Sequence, residues 1–286
     1  MSPSKKIYGL IGYPVKHSLS PAMHNAAFKA TGIDAQYRLF EVKPEELRDF
    51  LINRKDVVGF NITIPHKIKA REICEKEDAS LDSFVKMTGA VNTVKRAKEN
   101  LKCFNTDAPG FAKSLKEELG FEARDKKALL LGCGGAGRAV IAGLTSSEID
   151  KIYIYEKSKE VIQAAQKHFS ASGGVKDKIE FIEESQLKNI IQQCQLLVNA
   201  TPLGMKGNDP SPIDKNLLHK GLYVYDVVYN RNKDTQLIQD AKSLGLKFAS
   251  GLDMLLYQGV LAWEYWTGKD APLEVMRKAL KEAARK

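Results

Sequence analysis

Ala128-Leu129-Leu130-Leu131-Gly132-Cys133-Gly134-Gly135-Ala136-Gly137-Arg138-Ala139-Val140 is the stretch that decides the fold. Its first four residues form an unbroken apolar run, short enough for a strand buried on both faces of a parallel sheet. Glycines follow at 132, 134 and 137 in the spacing Gly-x-Gly-x-x-Gly, and an Ala/Val/Ile-rich helical pattern begins at once. Glycine permits the tight turn from strand to helix and lets the backbone approach a pyrophosphate, whose charge the helix N-terminus stabilises. A glycine-rich turn also has a purely structural reading, which the spacing alone does not exclude. The strand before it and the helix after it favour a dinucleotide, held through Gly132, Gly134, Gly135, Ala136 and Gly137.

Working outward, a chain of 286 residues is long for one core and predicts two domains, at roughly 150 residues each. A hydrophobic content of 43% with 28% charged residues is that of an ordinary soluble globular protein. No apolar run approaches the ~20 residues of a membrane helix, so no membrane partner is expected. Met1 to Lys6 lead into a strand pattern without the apolar core and cleavage site of a signal peptide, which predicts a cytoplasmic protein. The formal charge of +9 is spread along the chain with no interleaved aromatics. It therefore fits anionic small molecules better than nucleic acid. Cys74, Cys103, Cys133 and Cys194 lack Cys-x-x-Cys spacing and predict neither a metal site nor disulfides.

Apolar runs alternate with helical patterns along the whole chain, the rhythm of an α/β protein. Strands are expected at residues 7–12, 37–42 and 57–62, with a helix over 21–30 capped by Ser20 and a charged helix after Ile64-Pro65-His66-Lys67. Residues 92–94 and 101–104 read as short strands around a turn at Glu99-Asn100. From the helix through Phe111, Leu115 and Leu119, strand and helix alternate again, through residues 152–155, 159–169, 196–199, 223–227, 237–244 and 246–248. Two helices, 254–266 and 273–284, close the chain.

The first part of the chain carries the specific signal. Gly12-Tyr13-Pro14-Val15-Lys16-His17-Ser18-Leu19-Ser20-Pro21-Ala22-Met23-His24-Asn25 resembles the signature of the shikimate dehydrogenase family, shikimate and quinate dehydrogenases together. Further resemblances follow in family order: residues 61–67 (Asn-Ile-Thr-Ile-Pro-His-Lys), 89–93 (Gly-Ala-Val-Asn-Thr) and 105–107 (Asn-Thr-Asp). Beyond the glycine loop come residues 199–205, 226–230 and 251–259. The resemblance implies two α/β domains: a substrate-binding domain of residues 1–107 completed by 251–286, and a Rossmann-type dinucleotide-binding domain of residues 108–250. It also implies reversible NAD(P)H-dependent reduction of 3-dehydroshikimate to shikimate, a step of aromatic amino acid biosynthesis.

The residues have readings of their own. Ser18 and Ser20 flank a helix start, where hydroxyls serve as caps; two donors beside a helix N-terminus also suit a carboxylate, and the family uses the matching serines so. Lys67 would pass as a solvated helix lysine and Asp107 as a helix cap. The resemblance makes them the catalytic pair, because a ketone that accepts hydride develops alkoxide charge and needs a proton donor. It places Thr63, Asn92 and Gln258 on substrate hydroxyls or the carboxylate, where an amide both donates and accepts. It sets Tyr229 near the carboxylate, and Thr201 and Gly251 at the cofactor. Trp263 and Trp266, at helical spacing, read as packing residues at the domain contact.

Residues 156–158, Glu-Lys-Ser, depart from the family. NADP-using members commonly carry Asn-Arg-Ser/Thr there. An acidic residue about 20 positions past the glycine loop accepts hydrogen bonds from the free ribose hydroxyls of NAD. Lys157 stands in the arginine's place as a point charge rather than a bidentate fork. NADP is thus the family's cofactor, and Glu156 predicts that NAD is accepted or preferred here. Two alternatives stand beside this reading, a quinate/shikimate dehydrogenase with NAD preference and a non-catalytic ligand sensor on the same fold. Retention of both Lys67 and Asp107 argues against the sensor. A monomer or homodimer is expected.

Overall fold

The computed structural model describes residues 5–97, 100–170 and 174–285. The chain forms two compact units, one running to Thr106 and resuming at Gln258, the other Asp107–Tyr257. The second unit thus takes in Asp107 and residues 251–257, beside the expected boundaries at 107/108 and 250/251.

The first unit contains β1 (Lys6–Gly12), α1 (Ser20–Thr31), β2 (Ala35–Glu41), α2 (Leu47–Asn53), β3 (Val57–Ile62) and α3 (Lys67–Lys76). β4 (Ser80–Leu81), α4 (Ser83–Thr88), β5 (Thr93–Ala97) and β6 (Asn100–Phe104) follow. Its six-stranded sheet has the order β2-β1-β3-β5-β6-β4, with β1 parallel to β2 and β3, and β5 antiparallel to β3 and β6. Asn100 opens β6, while Glu99 of the expected turn lies outside the described residues.

Leu19, not Ser20, is the N-cap of α1, and Ser20 is its first residue. The Ser18 hydroxyl accepts the Ser20 backbone N–H at 3.2 Å, and this local turn moves the helix start one residue towards the N-terminus. Gly32, at φ 67°, ends α1 in the left-handed conformation that glycine adopts without strain. On β5, the Arg96 guanidinium donates to the carbonyls of Val57, Leu51 and Phe50 at 2.8 to 3.0 Å. It thereby satisfies two carbonyls, those of Phe50 and Leu51, that the short α2 leaves open at its end.

The second unit holds α5 (Asp107–Glu117), β7 (Lys127–Leu131), α6 (Gly135–Ser146), β8 (Lys151–Tyr155), α7 (Lys159–Ser170), β9 (Ile179–Phe181) and α8 (Leu187–Ile191). β10 (Leu196–Asn199), β11 (Tyr223–Asp226), α9 (Gln236–Ser243) and β12 (Phe248–Ser250) complete its sheet. The order is β12-β11-β10-β7-β8-β9, all parallel, so the chain runs outward from β7 to β9 and returns on the other side of β7. The switch point lies between the carboxyl ends of β7 and β10, where open α/β sheets bind ligands. Leu129, Leu130 and Leu131 are fully buried there, as a doubly covered parallel strand requires.

α10 (Gly251–Thr267) runs from the second unit into the first, and α11 (Leu273–Ala284) follows. Trp263 and Trp266 both make ring contacts within the first unit. Trp266 lies 5.2 Å from the Tyr8 ring and donates its indole N–H to Val94 at 3.0 Å, and Trp263 tilts over Phe28 at 4.7 Å. All four cysteines are free and buried. Among the described residues, no helix is long and apolar enough to cross a membrane, and no group of His, Cys, Asp or Glu could hold a metal ion.

Candidate functional site

In the first unit, Lys67 is the opening residue of α3 and is half-buried. Buried His66 precedes it as the helix cap residue, its Nε2 2.6 Å from the Val42 carbonyl, which pins the start of the helix. The Lys67 carbonyl accepts the Val91 N–H at 3.0 Å, so α3 is tied to the loop that carries Asn92. Thr63, also half-buried, is fixed through its N–H to Ile11 at 2.9 Å. A Cβ on Gly12 would collide with its methyl group. Ser18 is half-buried and Ser20 buried at the head of α1. Gln258 is buried on α10, next to Gly259, where a Cβ would collide with the Met23 side chain of α1.

Asn92 is held more tightly than the sequence shows. Its Oδ1 accepts the Thr106 backbone N–H at 2.7 Å and the Thr93 hydroxyl at 3.0 Å, while its Nδ2 donates to the Thr106 hydroxyl at 3.0 Å. A backbone N–H only donates, so the amide oxygen must face Thr106 and the NH2 group alone has capacity to spare. Asn92 therefore offers a ligand a donor, not the donor-and-acceptor pair expected of it. Asn61, Thr93 and Thr106 received no role from the sequence, although a polar Asn61 inside the apolar strand Val57–Ile62 was a visible signal.

In the second unit, Gly132 has φ 88° and turns the chain out of β7. A Cβ on Gly137 would collide with the Gly132 carbonyl oxygen, so this pair is required by the turn itself. Gly134 and Gly135 differ: both are exposed, neither has a positive φ, and a Cβ on either meets open space. Gly134 caps α6 without a side-chain hydrogen bond, so no cap side chain occupies the first-turn N–H groups of α6. The loop, with half-buried Ala136, fits a pyrophosphate approaching this helix end.

Glu156, just past β8, is half-buried, and its two oxygens accept the backbone N–H groups of Cys133 and Ser158, both at 2.9 Å. Lys157 is exposed. The Ser158 hydroxyl accepts the Val161 N–H at 3.2 Å at the start of α7. Burial pushes the Cys133 thiol up to about 12, so it is an inert filler of the loop.

The turn after β10 is organised by Asn199. Its Oδ1 accepts from Thr201 N–H at 3.1 Å and from the Thr201 hydroxyl at 2.7 Å, and its Nδ2 donates to Leu203 O at 3.0 Å and Asp226 Oδ1 at 2.9 Å. Asp226, fully buried at the end of β11, also accepts from the Thr235 hydroxyl at 2.5 Å and from Val228 N–H at 3.0 Å. Burial raises its pKa to about 6 against these hydrogen bonds. The Val228 bond fixes the stretch that carries half-buried Tyr229, whose phenol burial pushes above its usual range. A Cβ on Gly251 would strike the Val227 carbonyl, so glycine there brings α10 against that same stretch. Asp107 stands in the first turn of α5, not at the cap position expected of it.

Residues 10–94 match the model of the shikimate dehydrogenase substrate binding domain, and residues 251–281 that of the shikimate 5'-dehydrogenase C-terminal domain. The chain is similar to the shikimate dehydrogenase (NADP(+)) of Methanopyrus kandleri, with 41% identity over 283 residues, 98% of this chain and 96% of the relative. It is also similar to the structure of shikimate 5-dehydrogenase from Thermus thermophilus in complex with NADP(H) and shikimate, at 33% identity and TM-score 0.83, covering 97% of this chain and 99% of that one. The Listeria monocytogenes shikimate 5-dehydrogenase in complex with shikimate and NAD is similar at 30% identity and TM-score 0.87, covering 98% of each chain.

Proposed function

This chain belongs to the shikimate dehydrogenase family, and from that premise we propose how its residues divide the work. The protein is an oxidoreductase that reversibly reduces 3-dehydroshikimate to shikimate with a nicotinamide dinucleotide. When bound, the dinucleotide supplies the hydride in this direction and accepts it in the reverse. As the carbonyl oxygen becomes an alkoxide, the Lys67 ammonium stabilises the charge and delivers a proton to that oxygen, directly or through water. Asp107 orients the ammonium. The observation that supports this division is the main-chain tie between Lys67 and Val91, which seats the lysine beside Asn92, itself bonded to the residue before Asp107.

Asn92 donates to a ring hydroxyl oxygen, while Thr63 and Gln258 engage the remaining hydroxyls. Ser18 and Ser20 hold the carboxylate at the head of α1, with Tyr229 on the same group. Gly134, Gly135 and Ala136 hold the pyrophosphate, Gly132 and Gly137 shape the turn, and Thr201 and Gly251 border the nicotinamide. Glu156 accepts from the adenosine ribose and admits NAD, with Lys157 and Ser158 beside it as a residual phosphate site. The protein works in the cytoplasm on this small anionic substrate. Steady-state turnover of shikimate and of quinate, each with NADP and with NAD, tests the reading. Turnover of shikimate with NAD at a rate comparable to NADP is expected; strict NADP use would remove the ribose role of Glu156, and no turnover of shikimate would remove the whole.

A further inference from the structure

We infer that Tyr37 is a positioning residue for the substrate: acting through Asn61 and Thr93, it holds in place the Asn92 amide, whose direction the Thr106 N–H sets. The inference rests on the proposed role of Asn92 in holding a substrate hydroxyl. Tyr37 lies on β2, outside every motif that carries the family resemblance, and it is 2% exposed. Its phenol donates to Asn61 Oδ1 at 2.7 Å. With that oxygen occupied, the Asn61 Nδ2 must point the other way, and it donates to the Thr93 hydroxyl at 2.9 Å. Thr93 thus receives a proton from Asn61 and spends its own on Asn92 Oδ1, at 3.0 Å, or on the Thr106 hydroxyl, also at 3.0 Å. The bonds connect Tyr37 through Asn61 and Thr93 to Asn92, the last step made directly or by way of the Thr106 hydroxyl, and every member is buried. Water cannot stand in for a missing link, so the loss of the phenol is felt at the amide.

The surroundings of Tyr37 hold that phenol in place. Its backbone is clamped by the Asn25 side chain, which donates to the Tyr37 carbonyl at 3.0 Å and accepts from the Tyr37 N–H at 2.8 Å. Its ring is stacked on His24 at 4.4 Å with an interplanar angle of 13°. Burial lowers the His24 pKa to about 3, so that ring is neutral and adds no charge to the chain of bonds. Without the phenol proton, the Asn61 oxygen is left buried and unsatisfied, and the side chain loses the anchor that holds it against Thr93. An unanchored Asn61 weakens the bond to Thr93 and, through Thr93, loosens the amide that meets the substrate.

The test is Tyr37→Phe, alone and combined with Asn92→Ala, with KM measured for shikimate and for the dinucleotide and the melting temperature recorded. Tyr37→Phe is expected to raise the KM for shikimate about 3- to 10-fold, the size of one neutral hydrogen bond, with the dinucleotide KM changed less than about 2-fold. In the Asn92→Ala background it should add nothing; a further rise there would mean that the phenol acts through the Ser20 side chain beside it, and overturns the inference. A variant that melts earlier with both KM values unchanged, or raises both alike, overturns the inference. If Asn92→Ala itself leaves the shikimate KM unaltered, the role of Asn92 falls and this inference with it; if Asn92→Ala raises it and Tyr37→Phe does not, only this inference falls. Should Tyr37→Phe fail to fold, Thr93→Val must raise the shikimate KM and Thr93→Ser must restore it, and equal values for the two overturn the idea.

Discussion

Glu156 and Cys133 are joined across the dinucleotide loop: the glutamate Oε2 accepts the cysteine backbone N–H at 2.9 Å, while its Oε1 accepts the Ser158 N–H at the same distance. The carboxylate at the end of one strand therefore buttresses the glycine turn at the end of its neighbour. A charge fixed in this way is in position to meet whatever lies on the loop.

The first prediction follows from that bond. Glu156→Gln keeps an oxygen for the Cys133 N–H but removes the charge. The ratio of kcat/KM for NADP over NAD should rise about tenfold, since unit charges ~4 Å apart near a surface interact by up to ~4 kcal/mol before solvent reduces it. An unchanged ratio would mean that the carboxylate serves the loop and does not meet the ribose.

The second concerns the proton. Lys67→Ala and Asp107→Asn should each lower kcat by about 100-fold or more, the usual contribution of acid–base support. Both side chains are only half-buried, so the melting temperature should stay near that of the unmodified protein. Near-normal turnover in both variants would eliminate the pair.

The third separates binding from capping. Ser18→Ala and Ser20→Ala should raise the KM for shikimate with little change in kcat, because the carboxylate is held alike in ground and transition states. Ser18→Ala should also lower the melting temperature slightly, since its hydroxyl accepts the Ser20 N–H at 3.2 Å. If stability falls and KM does not move, both serines return to a helix-start role.

The fourth concerns pH and Asp226. Its pKa is raised to about 6 in the fold by burial, against about 3.9 in an unfolded chain. The folded protein therefore binds this proton more tightly. The resulting stability is fully present below about pH 4 and is lost as pH rises through about 6, by up to ~3 kcal/mol. Urea unfolding of the unmodified protein and of Asp226→Asn, from pH 4 to 7, should give a stability difference that shifts in favour of the variant as pH rises. Parallel curves would show that Asp226 titrates in its ordinary range.

The sequence by itself determined what local sterics and periodicity decide. The apolar run before Gly132, the strand Leu196–Asn199 and the helix Leu273–Ala284 were all legible, because each is set by neighbours a few residues apart. The helix start was legible only to within a residue, since Ser18 and Ser20 compete as caps and one backbone N–H settles it. The strand Ser80–Leu81 was not legible at all, for two residues carry no period and pair only because β6 lies beside them. The tertiary structure alone decided the polar wiring. Tyr37 meets Asn61 from 24 residues away, Asn61 meets Thr93 from 32, and Asn199 meets Asp226 from 27. A buried polar group must find a partner, but which one depends on the strand that lies alongside in the sheet, and no local pattern encodes that. The side of the Asn92 amide that faces a ligand was settled in the same way, by the single N–H of Thr106.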